Sequence, residues 1–166
     1  MKLTIIFISI FVLFTSCGIY NFTGSSVAPD IKTIYIPNIQ NESGQGPARI
    51  SINFSERLRD YYQSNTKLQI TNKPGADLSL EGRITGYNLS PVAPQGNEFA
   101  AQTRLTMSVN IIFENTKDST QNVKKDFSFA ENYPSSTSLS QVEESTLPLI
   151  FDQLIIQIFQ ETVAQW

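Results

Sequence analysis

Leu105, Met107, Val109, Ile111 and Phe113 alternate without error, with Thr106, Ser108 and Asn110 between them. A period of two over nine residues is the mark of a strand with one dry face and one wet face. Such a strand cannot stand alone; it needs neighbours and a layer to cover its apolar side. Neighbours lie on both sides in sequence. Leu78, Leu80 and Ile84 share one parity, while Tyr87 and Leu89 sit on the other. A β-bulge near Gly86 reconciles the two halves, since one extra residue inverts the parity. After a polar turn over Asn115–Gln121, the alternation resumes through Val123, Lys125, Phe127 and Phe129, with Lys125 at the rim.

Two helical patterns supply the cover. Ile50, Phe54, Leu58 and Tyr61 recur at helical spacing and place Ser51, Ser55, Arg59 and Gln63 away from the apolar face. This helix should end near Asn65. Near the C-terminus, Leu147, Ile150, Phe151, Leu154, Ile155, Ile158 and Phe159 form a broad stripe, and Asp152 points off it. Ser140 and Glu143 have capping-box spacing. Pro148 either kinks this helix or opens its regular part. Lys32–Pro37, with Ile34 and Ile36 on one side, reads as a first strand, Asn38–Pro47 as a loop, and Lys67–Thr71 as a short strand before a turn at Asn72–Gly75. The order β-α-β-β-β-β-α implies an α+β domain: two helices on one face of a mostly antiparallel sheet of four to five strands. The opposite face, with Thr106, Ser108 and Asn110, should be wet or offered to a partner.

The N-terminus has the parts of an export signal: Lys2, an apolar core from Leu3 to Phe14, and small residues Thr15 and Ser16 before Cys17. The core is too short for the ~20 residues that span a bilayer. Leu13-Phe14-Thr15-Ser16-Cys17 resembles the lipobox of bacterial lipoproteins, with Phe14 in place of the usual leucine. The expected organisation is a signal peptide over 1–16, a lipidated tether over 17–30 and one domain over 31–166. Cys17 is the expected lipid attachment site, carrying palmitate-class acyl chains; the alternative is an ordinary secretory signal ending in a chance cysteine. Two or more acyl chains suffice for stable anchoring. By resemblance to known sorting rules, Gly18 in place of aspartate favours the outer membrane, on its periplasmic side.

Cys17 is the single cysteine and there is no histidine. An internal disulfide is impossible, and zinc sites of the usual ligands, Cys–His nucleophiles and Ser–His–Asp triads are excluded. No phosphate loop or dinucleotide fingerprint occurs. The net charge of −3 comes without any run of lysine or arginine, which argues against nucleic acid. Charged residues make up 16%, below the ~25% of ordinary globular chains, and Asn, Gln, Ser and Thr fill the gap. Catalytic residues, metal and cofactor are all expected to be absent. A carboxylate pair for cell-wall hydrolysis is the one enzymatic reading left.

Several stretches together resemble one family. They are Cys17–Gly24 (CGIYNFTG), Ile31–Pro37 (IKTIYIP), Glu81–Pro94 (EGRITGYNLSPVAP), Ala101–Val109 (AQTRLTMSV) and the terminal helix from Asp152 to Trp166. The combination is similar to LptE, the lipopolysaccharide-assembly lipoproteins, in their Bacteroidetes form. The resemblance implies a non-enzymatic plug inside the lumen of the outer-membrane barrel LptD, with which it places lipopolysaccharide in the outer leaflet. Partner contact is expected along the connection from Tyr87 to Arg104, at Tyr87, Pro91, Pro94, Phe99 and Arg104. The family's proposed contact with lipopolysaccharide through basic residues has no positional match; Arg83, Arg104, Lys124 and Lys125 are the nearby cations that could meet phosphate. The rival reading is a periplasmic lipoprotein adaptor or binding module unrelated to lipopolysaccharide.

Overall fold

A computed structural model describes residues 27–93 and 101–164. The signal peptide, Cys17, Pro94 and Phe99 lie outside the described residues. Among the described residues, six strands and two α-helices follow in the order β1 (Thr33–Tyr35), β2 (Gln40–Asn41), α1 (Ile50–Asn65), β3 (Gln69–Thr71), β4 (Leu78–Val92), β5 (Gln102–Asn115), β6 (Val123–Pro134) and α2 (Leu139–Thr162), with a short 3-10 turn at Ser119–Gln121 before β6.

The alternating segment becomes β5, at the heart of the antiparallel β4-β5-β6 meander. Its five apolar residues are fully buried, and each contributes roughly 1.5–3 kcal/mol by leaving water. The bulge lies where the parity demands it: Ile84 stands opposite Val109 and Gly86 opposite Ser108, so Thr85 is the extra residue. Glycine's conformational freedom is not the reason, because Gly86 is not among the positive-φ residues. Gly82 has the stronger need to lack a side chain. A Cβ there would stand 2.5 Å from the Asn110 carbonyl oxygen and 2.8 Å from Ile111 Cδ1.

The sheet is mixed and larger than the sequence implies. Its order is β3-β1-β4-β5-β6, and β2 also pairs with β4. β1 runs parallel to β3 and β4, with Ile34 opposite both Ile70 and Leu78, and β2 runs parallel to β4. Strands of two or three residues carry too little periodicity to betray their direction, and the helical crossover α1 returns the chain so that β3 runs parallel to β1. The 38–47 loop therefore contributes a strand to the sheet. Asp77 secures the start of β4 against β1: its carboxylate accepts from the Lys32 and Thr33 amides at 3.0 Å and from Thr33 Oγ1 at 2.9 Å. These bonds, with Lys117 nearby, hold the carboxyl below the usual aspartate range.

Both helices pack on one face and share a single core. Phe54 meets Phe151 edge-to-face at 5.2 Å, and Phe159 receives Tyr61 and Tyr62 at 5.1 Å each. The α1 stripe ends on Tyr62 instead of Tyr61, which is half-buried at the side. The Tyr62 hydroxyl is 2.5 Å from Thr162 Oγ1, and burial pushes its pKa up. Ser55 does not face solvent as its spacing implies. It is buried, donates to the Ser51 carbonyl at 2.6 Å and accepts from the Ile39 amide at 2.8 Å. The α2 cap is Ser138 with Gln141, two residues earlier than Ser140 with Glu143, and the helix runs through Pro148. Asp152 does lie off the stripe, paired with Arg57.

Candidate functional site

Among the described residues, the meander leaves one face of the sheet without a helix. Facing out from β5 are Arg104, Thr106, Ser108, Asn110, Ile112 and Glu114, since their neighbours in the strand face the core. Cross-strand polar pairs tie this face together. Ser108 meets Ser128 at 3.0 Å, Asn110 Nδ2 donates to Asp126 at 2.7 Å, and Arg104 Nε donates to Asn132 at 3.0 Å. Neutral donors and acceptors outnumber charges, so the surface offers hydrogen bonds more than a single electrostatic field.

A shallow groove of about 360 Å³ crosses this face at the β2–β4 junction, lined by Tyr35, Gln40, Glu42, Glu81, Arg83 and Asn110 among others. Arg83 Nε lies 3.6 Å from a Glu42 carboxylate oxygen. The Asn110 Oδ1 atom is buried without a hydrogen-bond partner among the described residues. A larger groove of about 490 Å³ lies where the chain enters the domain, with Val27, Ala28, Ile31 and Leu68 beside Lys32 and Lys67.

The cations named from the sequence do not converge. Arg83 stands opposite Asn110 and Lys124 opposite Ile112, so these two share the open face on flanking strands. Arg104 is six residues along β5 from Asn110, roughly 20 Å at ~3.4 Å per residue. Lys125 stands on the helix side, 3.0 Å from Glu161 and over the Phe127 ring at 5.6 Å. A bidentate phosphate clamp is therefore not assembled by these four side chains.

The Tyr87–Arg104 segment is less of a loop than its composition implies. The β4–β5 ladder continues to Val92 opposite Gln102. Tyr87 is a core residue at 4% exposure, its ring beside Gly46 and its hydroxyl buried without a partner among the described residues. Burial raises its pKa, helped by Glu143 and Tyr133. Beyond it, Leu89, which has core parity opposite the fully buried Leu105, is 48% exposed. Pro91 and Arg104 are also exposed there. Toward the end of the described ladder, Leu89 and Pro91 are exposed on the helix-side parity and Arg104 on the open face. Leu89 and the Arg83 groove were missed in the sequence. The parity of Leu89 points inward, yet its side chain is half exposed.

No group of three or more Cys, Asp or Glu able to hold a metal occurs among the described residues. Among those residues, no helix is long and apolar enough to cross a membrane.

Solved structures share the fold at low identity. A hypothetical protein from Chlamydia trachomatis superposes with a TM-score of 0.57 at 9% identity, covering 81% of this chain and 98% of its own. A minor lipoprotein from Acinetobacter baumannii gives 0.50 at 17%, covering 78% and 91%. No curated protein matches the chain. Residues 31–162, spanning every strand and both helices, match the family LptE, described as Lipopolysaccharide-assembly, and the chain belongs to that family.

Proposed function

We propose that this protein is a non-enzymatic lipoprotein, anchored through Cys17 to the periplasmic side of the outer membrane. There it plugs an LptD-like barrel and assists it in placing lipopolysaccharide in the outer leaflet. The observation that carries this reading is the family match over residues 31–162. The helix-free face supports it physically. A barrel lumen is polar, and the Ser108–Ser128, Asn110–Asp126 and Arg104–Asn132 pairs present hydrogen-bonding groups of this face, mostly neutral, to a partner. The β4–β5 tip, with Leu89, Pro91 and Arg104 exposed, is the second contact region. Lipopolysaccharide phosphate, if touched directly, would meet Arg83, Lys124 and Arg104 one at a time, with Lys125 turned to the other side.

The test is photo-crosslinking in cells. A photoreactive residue at Thr106 or Ser108 is expected to give a crosslink to a large outer-membrane barrel, and one at Gln153, on the exposed side of α2, far less. Equal crosslinking from both faces would remove the open sheet as the contact surface, and crosslinks to no barrel would remove the plug reading.

A further inference from the structure

The sheet leaves one long edge unpaired. Among the described residues β6, Val123–Pro134, pairs with β5 alone, whereas the edge on the other side is the three-residue β3. At ~3.4 Å per residue β6 exposes about 40 Å of backbone N–H and C=O groups. Such an edge is a template for another strand, and charged side chains commonly guard it. Here the charges are sorted along the strand. Lys124, Lys125 and Asp126 lie near its start and Glu131 near its end, with Phe127, Ser128, Phe129 and Ala130 between.

Sorted charges make the edge complementary to itself. Residues directly opposite in an antiparallel pair point to the same face. Val123, Lys125, Phe127, Phe129 and Glu131 face the helix side, opposite Phe113, Ile111, Val109, Met107 and Leu105. A two-fold axis through Ser128 would set Lys125 against Glu131 of a second copy, twice by symmetry. It would also set Lys124 against Asn132, Asp126 against Ala130, and Phe127 against Phe129. Other registers do worse. Centring on Lys125 or Asp126 opposes like charges on the axis; centring on Phe127 sets Lys125 against Phe129 and Glu131 against Val123, and centring on Phe129 sets Lys125 against Tyr133 and Glu131 against Phe127, so neither pairs the two charges. Lys125 already lies 3.0 Å from Glu161, so in the paired state its ammonium would sit between two carboxylates.

We infer that the chain free of other partners forms a symmetric dimer by antiparallel pairing of β6 with β6 about Ser128, joining two sheets into one. A closed, isologous contact of this kind satisfies both edges at once. The inference rests on the sheet edge and not on the barrel reading.

The experiment is sedimentation of the full chain in mild detergent across a concentration series, with two variants. S128D places two carboxylates on the axis, and E131K faces Lys125 with a like charge. The wild-type chain is expected to dimerise, and each variant to dimerise roughly tenfold more weakly, with unchanged circular dichroism. T106D, on the same face but one strand inward, should leave the dimer intact. A chain that stays monomeric at every concentration overturns the inference. A dimer indifferent to both S128D and E131K also overturns it, and assigns the association to another surface.

Discussion

Asp77 shows how one side chain can hold the order of a sheet. Its carboxylate accepts from two amides and a hydroxyl of the first strand, and those bonds favour the ionised form over the protonated one. Its pKa is lowered in the folded chain, so its contribution to stability is fully present above the unfolded value. It disappears as pH falls through the folded value. D77A is expected to cost about 2 kcal/mol near neutrality, in the range of charge-assisted hydrogen bonds. The gap to wild type should narrow as the medium is acidified below about pH 4. Denaturant titrations at several pH values measure this; a gap that stays constant with pH would show that the carboxylate's charge is not what holds β1. Asp77 was not legible in the sequence, because its partners lie more than forty residues away and no local pattern marks a long-range cap. Ser55 was misread for a related reason. Its helical position put it off the apolar stripe, yet the 38–47 segment closes over it and uses its hydroxyl for the Ile39 amide.

Among the elements, those with a dry side and a wet side were readable, and those without were not. β5 alternates because one face turns into the helix-covered core and the other, among the described residues, carries no helix, and the same asymmetry exposes the parity change in β4. β1, β2 and β3 are too short to alternate, so their parallel pairing is a property of the assembled sheet. The helices were read in extent, but their last details followed contacts: α1 finishes on Tyr62 because Phe159 and Thr162 stand there. The two glycines of β4 separate a steric need from a positional one. G82A would press a Cβ against the Asn110 carbonyl at 2.5 Å, so a loss of roughly 1–3 kcal/mol is expected, the ordinary cost of overpacking. G86A meets only ordinary contacts at 3.4 Å and should be close to neutral. Thermal unfolding of the two variants checks the ranking. A G86A variant less stable than G82A would contradict the register assigned to the bulge.

For the molecule as a whole, the two sides of the sheet divide the work. One side binds two helices into a core without any disulfide. The other offers a polar surface and a groove around Arg83. Family membership is legible because short stretches resemble the family in order along the chain, and the match over residues 31–162 covers those from Ile31 onward into the last helix, while Cys17–Gly24 lies outside it. The contact surface was less legible. The sequence pointed to the Tyr87–Arg104 connection, of which Tyr87 is core and Pro91 and Arg104 are surface. It pointed to four cations, which the sheet distributes over two faces.

The proposed role places this domain inside a partner barrel. The most direct measurement is a pull-down of the tagged protein from its own outer membranes in mild detergent, with mass identification and quantification of what co-purifies. A large LptD-like barrel in near one-to-one ratio is the expected result. Clean recovery without any barrel, under conditions that keep other membrane complexes whole, would contradict the account.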